Sequence, residues 1–140
     1  MSEDETARWS YRLDSYRRAL SHLAGAVGAE RDRGLSDLER MGLTQAFEIV
    51  VELGWKLLKD VLGAQGQAVS SFGPNAIIRA AFEGEIVANG RGWLRAIDLR
   101  NSLSHTYKQE MFLAAVPEIA GDHFVTLSAL PGELERLGFS

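Results

Sequence analysis

Residues 36–62, "SDLERMGLTQAFEIVVELGWKLLKDVL", decide the fold. The opening "SDLE" is a capping box: the Ser36 hydroxyl can accept the Glu39 amide while the Glu39 carboxylate reaches back to the amide of Ser36. From that start nothing breaks a helix before about Leu62, and at 1.5 Å per residue the run is roughly 40 Å long. Its apolar residues fall on more than one face: Phe47, Val50, Val51, Leu58 and Val61, but also Ile49, Leu53 and Leu57. A helix of this kind is central in its fold or turns one side to a second subunit. Gly42 and Gly54 lower its helix propensity, which marks either close approach of another backbone or ordinary surface glycines.

Working outward, Trp9, Leu13, Tyr16, Leu20, Leu23 and Val27 recur at steps of 4, 3, 4, 3 and 4. That spacing lays them along one stripe of a helix from about Thr6 to Glu30, with Gly34 as its stop. Downstream, "GAQGQAVSSFGP" (63–74) is a loop whose Pro74 suits the first turn of a short helix carrying Ile77, Ile78, Ala81 and Phe82. "NGRG" (89–92) reads as another turn, after which the helical pattern resumes from Trp93 to about His105. Met111 to Ala120 and Asp122 to Leu130 are further helical pieces, with Pro117 and Pro131 at their uncertain edges. No stretch alternates at period two and no repeat occurs, so the expectation is an all-α, up-and-down four-helix bundle with short additional helices. Residues 1–140 are expected to form a single domain.

Composition narrows the possibilities. With 46% hydrophobic and 24% charged residues the chain is an ordinary globular sequence, and one of 140 residues buries roughly two-thirds of its unfolded surface. The absence of cysteine excludes disulfides, thiolate nucleophiles and cysteine-based zinc sites. The opening "MSEDETARWS" is acidic where a secretory signal needs a basic start and an apolar run, so a cytoplasmic location is expected. The longest mostly apolar stretch, Ile49 to Leu62, carries Glu52, Lys56, Lys59 and Asp60, which are costly in a bilayer, so no membrane association is expected. At a net charge of −4, any contact with nucleic acid must be local and made by a few arginines.

One segment concentrates polar chemistry: "DLRNSLSHTY", residues 98–107. On a helix, Asp98, Asn101 and His105 share a face, whereas Arg100 points away from His105 by roughly 140°. The two can meet if the helix ends or distorts nearby, or if a second subunit contributes. Chemically the set suits phosphate. Arg100 offers a permanently charged, planar fork for a phosphodiester, and His105 can take or give a proton at a ribose hydroxyl or leaving oxygen. Asn101 can orient the imidazole or the scissile group, with Ser102, Ser104 and Asp98 as weaker participants. The structural alternative is a histidine capping a helix end, Asp98 and Arg100 as a surface ion pair, and a packed Tyr107. His22, His105 and His123 lack ligand spacing, so neither a metal nor a cofactor is expected. "GAQGQ" lacks the lysine and strand-to-helix context of a phosphate loop. Glu48, Glu52 and Lys56, at four-residue steps, read first as pairing along a helix surface.

Together, "AFEIVVELGWKLLKDVL" (46–62) and "DLRNSLSHTY" (98–107) resemble the HEPN superfamily, and within it the small HepT-like proteins also called nucleotidyltransferase substrate-binding subunits. Arg100, His105 and Tyr107 match that family's pattern of arginine, four residues, histidine, one residue, tyrosine, and Asn101 matches the polar residue after the arginine. "PNAIIRAAFEGEIV" and "GWLRAIDLRN" extend the likeness over about Gln45 to Ala120. The resemblance implies a four-helix bundle that forms a homodimer, with both copies of the motif lining one cleft. It also implies a cognate minimal nucleotidyltransferase acting as antitoxin, and a metal-independent ribonuclease toxin in which Arg100 and His105 carry RNA cleavage. Tyr107 is then where the partner attaches AMP, adding a bulky anion beside the cleft. The family also contains the alternative of a non-catalytic subunit that holds a nucleotide or substrate for the transferase.

Overall fold

The computed structural model describes residues 1–140 and contains only helices and their connections. Helix α1 (Glu3–Asp32) starts earlier than its apolar stripe requires. Ser2 accepts the Glu5 amide as N-cap, and Glu3, Asp4 and Glu5 put negative charge at the positive end of the helix dipole. Trp9, Leu13, Tyr16, Leu23 and Val27 are buried as the spacing predicts, with Leu20 only partly covered. Gly34 ends the helix at φ +75°, a conformation that glycine adopts without a Cβ penalty.

Helix α2 (Asp37–Ala64) opens with the predicted capping box, the Glu39 amide donating to Ser36 Oγ at 3.2 Å and the Ser36 amide to Glu39 Oε1 at 3.0 Å. Ion pairs tie it to α1 at both ends: Arg12 to Asp60 at 2.9 Å and Arg40 to Glu30 at 3.1 Å. The pairing of low with high numbers makes the two helices an antiparallel hairpin. Gly54 is a point of close approach, though by side chains and not by backbone: a Cβ there would sit 2.5 Å from Trp93 Cη2 and 3.1 Å from Tyr16 Cε2. Gly42 faces open space.

After the 65–73 loop, α3 (Pro74–Glu83) has proline in its first turn and buries Ile77, Ile78 and Ala81, leaving Phe82 half exposed. The next helix departs from expectation. "NGRG" is not a turn but the start of α4 (Gly90–Ser104), with Asn89 Oδ1 accepting the Gly92 amide at 2.9 Å. The absent side chain at Gly90 lets the Phe82 ring lie against the helix, since a Cβ would meet Phe82 Cγ at 2.8 Å.

The C-terminal prolines mislead in the same way. Helix α5 (Gln109–Glu118), a π-helical turn (Ile119–His123) and α6 (Phe124–Glu135) follow one another without a loop but are kinked at Gly121, where the sequence reading divides them, and Pro117 and Pro131 lie inside helices. Pro131 has no N–H for the Leu127 carbonyl, and the buried Tyr16 hydroxyl donates to that carbonyl instead, at 2.5 Å. In the π-helical turn Gly121 leaves helical backbone angles, and the Arg31 guanidinium donates to the neighbouring Ala120 carbonyl. Tertiary donors therefore satisfy carbonyls that helix breakers leave free. The result is an all-α bundle whose main bars are α1, α2, α4 and α5–α6, with α3 as a short addition and Tyr16, Phe47 and Trp93 among its fully buried side chains. No helix is long and apolar enough to cross a membrane.

Candidate functional site

Helix α4 ends where the polar segment lies, with His105 as its C-cap. The His105 backbone amide reaches the Ser102 carbonyl at 3.3 Å, while its imidazole is exposed and makes no hydrogen bond within the chain. Arg100 lies on the other side of the helix, as the 100° rotation per residue dictates, and is anchored to α2: its Nη2 is 2.9 Å from Glu52 Oε2. Its Nη1 donates to Asn101 Oδ1 at 3.2 Å, and its Nε, shielded from solvent, has no acceptor. One chain thus brings together Arg100, Asn101 and Glu52, and no hydrogen bond or ion pair joins Arg100 to His105.

The Arg100–Glu52 contact is one of two matching rungs. One turn along both helices, Ser104 Oγ donates to Glu48 Oε1 at 2.9 Å. Pairing of 52 with 100 and of 48 with 104 requires α2 and α4 to run antiparallel. Glu52 also accepts from Trp55 Nε1 at 3.1 Å and pairs with Lys56 Nζ at 3.0 Å. Partial burial would raise the Glu52 carboxyl, but hydrogen bonds from Trp55 and Lys56 and the charges of Arg100 and Lys56 outweigh it and hold it below the usual range. Glu52 is therefore a carboxylate shared among three donors.

Asp98, Ser102 and Tyr107 stand free. Asp98 is exposed and makes no ion pair, so the surface pair with Arg100 expected as the structural alternative is replaced by Glu52. Tyr107 is fully exposed at 102% and makes no hydrogen bond, which rules out the packing alternative for that ring. Glu48 and Glu52 are the residues the sequence left undecided. Their four-residue spacing showed a common stripe of α2, and Glu52 does pair with Lys56, but the spacing did not show that this stripe meets α4.

The rungs floor a groove of about 390 Å³ lined by Gln45, Glu48, Ile49, Glu52, Arg100 and Ser104 among others. A second hollow of about 450 Å³ adjoins it through Gln45 and Glu48 and reaches Leu38, Met41 and Phe112. Along α2, Leu38, Met41, Gln45 and Ile49 follow at steps of 3, 4 and 4, one helical stripe, and its three apolar members are 80%, 37% and 48% exposed. An apolar stripe beside a charged groove is the kind of surface that another macromolecule covers.

The fold and the site define an antiparallel helical bundle that displays arginine and histidine at the C-terminal end of one helix, and tyrosine just beyond it, beside an apolar stripe. Comparison with known families makes this specific. Residues 11–136 match the family described as "Nucleotidyltransferase substrate binding protein like", and the chain belongs to that family. It is also 32% identical over 98 residues to a protein of Haemophilus influenzae named "Probable ribonuclease HepT". That match takes in 68% of this chain and 66% of the relative, so the chain spans about two-thirds of the relative's length.

Proposed function

We propose that this chain is a metal-independent ribonuclease toxin that acts as a homodimer and is silenced when a cognate minimal nucleotidyltransferase, its antitoxin, adenylylates Tyr107. The observation that carries the reading is the separation of Arg100 from His105. Arg100 is drawn to α2 by Glu52 while His105 is exposed at the end of α4, so neither completes a phosphodiester site alone. Two copies meeting through the Leu38, Met41 and Ile49 stripe would face their grooves toward each other and supply two imidazoles and two guanidiniums to one cleft.

In such a cleft, one His105 accepts the proton of the ribose 2′-hydroxyl as its oxygen attacks phosphorus. The second His105 donates a proton to the departing 5′-oxygen, leaving a 2′,3′-cyclic phosphate. Arg100 stabilises the charge that builds on the non-bridging oxygens. Tyr107, exposed and two residues from His105, offers its hydroxyl to a transferase without unfolding anything. AMP placed there adds negative charge and bulk at the entrance to the cleft.

The family's description favours a second reading, in which the groove holds a nucleotide or substrate for the transferase without cleaving anything. Induction of the chain in cells without a partner separates the two. Growth arrest by wild type that His105→Ala abolishes at matched soluble levels is expected of the toxin. Normal growth with both variants, and no cleavage of RNA by the purified wild type, sinks it in favour of the binding subunit. His105→Gln adds resolution, because an amide preserves hydrogen bonding but not proton transfer.

A further inference from the structure

A third concavity, separate from the groove, lies where α3 meets the start of α4. It has a volume of about 400 Å³ and is lined by Ile78, Arg79, Phe82, Asn89, Arg91 and Leu94 among others. Its apolar floor is the pair Ile78 and Leu94, and Phe82 stands at its edge 52% exposed, seated against the bare backbone of Gly90. An aromatic ring fixed on one side and open on the other is a stacking platform.

Its two arginines are uncommitted. Arg12, Arg33, Arg40 and Arg100 are bound to carboxylates, Arg31 and Arg136 donate to backbone carbonyls, and Arg8, Arg17, Arg18 and Arg95 are also free but do not line this concavity. Arg79 and Arg91 are exposed and make neither an ion pair nor a side-chain hydrogen bond. In a chain of net charge −4, two free guanidiniums line this concavity beside an open aromatic ring, against one carboxylate, Glu133, held at the Ala88 amide at 2.8 Å, and they supply the cations that a phosphate-linked base requires.

The concavity is also in line with the motif. Gly90, Leu94, Asp98 and Asn101 follow at steps of 4, 4 and 3 along α4, and the same stripe runs out at His105. From Gly90 to His105 the axial distance is about 22 Å at 1.5 Å per residue, a span of several nucleotides.

We propose that this concavity is an accessory subsite for single-stranded RNA, in which one base stacks on Phe82 and the adjoining phosphates are held by Arg79 and Arg91, several nucleotides away from the bond cleaved at His105. The subsite deepens the ribonuclease reading and rests on it. It gives an acidic protein a hold on RNA that does not depend on the carboxylate-lined groove, and it makes affinity depend on substrate length.

The test is fluorescence-anisotropy titration of a labelled 12-nucleotide single-stranded RNA against His105→Ala protein, so that nothing is cut, with and without Arg79→Gln plus Arg91→Gln, and separately with Phe82→Leu, which keeps packing over Gly90. Dinucleotide cleavage is followed in parallel with His105 intact. The double variant is expected to weaken 12-nucleotide binding on the order of tenfold and to reduce the salt dependence of log K by about 1.4, two single-strand phosphates at about 0.7 each. Phe82→Leu is expected to weaken binding by a similar factor with the salt slope unchanged, and dinucleotide cleavage is expected to stay the same in both. Circular dichroism of each variant checks folding. Tight binding that both variants leave intact overturns the subsite while the ribonuclease reading stands. Failure of wild type to bind or cut any RNA overturns both. Loss of affinity for the nucleotidyltransferase with RNA binding unaffected reassigns the concavity to protein docking and overturns the subsite.

Discussion

Arg100 Nη2 lies 2.9 Å from Glu52 Oε2, across the α2–α4 interface and one helical turn from the parallel contact of Ser104 with Glu48. The guanidinium of the motif is thus positioned by a carboxylate 48 residues earlier in the chain, and its orientation belongs to the fold and not to the motif itself.

Removing that carboxylate should damage function more than stability. Both side chains of the pair are about one-third exposed, so Glu52→Ala is expected to cost less than about 1 kcal/mol in denaturant unfolding. Loss of positioning for Arg100 is expected to lower kcat for RNA cleavage between about tenfold and a hundredfold, with Glu52→Gln recovering part of the loss because its amide oxygen can still accept from the guanidinium. An unchanged kcat in Glu52→Ala would remove Glu52 from the site.

The apolar stripe on α2 makes a different prediction. Ile49 is exposed in one chain, so Ile49→Glu should leave the folded monomer's stability within about 0.5 kcal/mol while splitting the proposed dimer, as read by light scattering. Cleavage should fall in proportion to the dimer lost. A monomeric wild type that cuts RNA at full rate contradicts the shared-cleft mechanism.

Tyr16 and Pro131 are coupled through one carbonyl. In Tyr16→Phe the buried Leu127 carbonyl loses its donor, at an expected cost of about 1–3 kcal/mol. Replacing Pro131 with alanine restores a backbone N–H four residues beyond Leu127, so Tyr16→Phe should cost less in a Pro131→Ala background. A double-mutant cycle by chemical denaturation reads the difference directly, and strict additivity would show that the hydroxyl does not stand in for the missing amide.

His123 should give the fold an acid sensitivity. Its ring is buried against Phe47, and Nε2 lies 3.6 Å from Glu118 Oε2, too far for a hydrogen bond. Burial lowers its pKa below the usual 6.5, only partly opposed by the charge of Glu118. For a histidine whose folded pKa is depressed, the unfolded chain takes up the proton first. Its contribution to stability is therefore complete above pH 6.5 and declines as pH falls from 6.5 toward the folded value. Unfolding free energy measured from pH 7.5 to pH 5 should fall for wild type and fall less for His123→Leu.

The sequence by itself determined the helices and the chemistry of the motif, because both are encoded locally. The stripe from Trp9 to Val27, the Ser36–Glu39 capping box, and Pro74 at the start of α3 rest on spacing and capping within a few residues, and each stands in the structure as read. The polar segment at 98–107, with Arg100 facing away from His105, follows from helical rotation alone. Where the reading failed, a distant donor or surface had overridden a local signal. "NGRG" begins a helix because Asn89 caps it with its side chain over Gly92 and Phe82 fills the space that Gly90 leaves, and Pro131 stays inside α6 because Tyr16 supplies the missing hydrogen bond. Only the tertiary structure could decide that Glu52 holds Arg100, that Leu38, Met41 and Ile49 remain uncovered, and that Arg79, Phe82 and Arg91 share one concavity. Each depends on which faces of separate helices meet, a matter of packing between residues far apart in the chain that no local periodicity specifies.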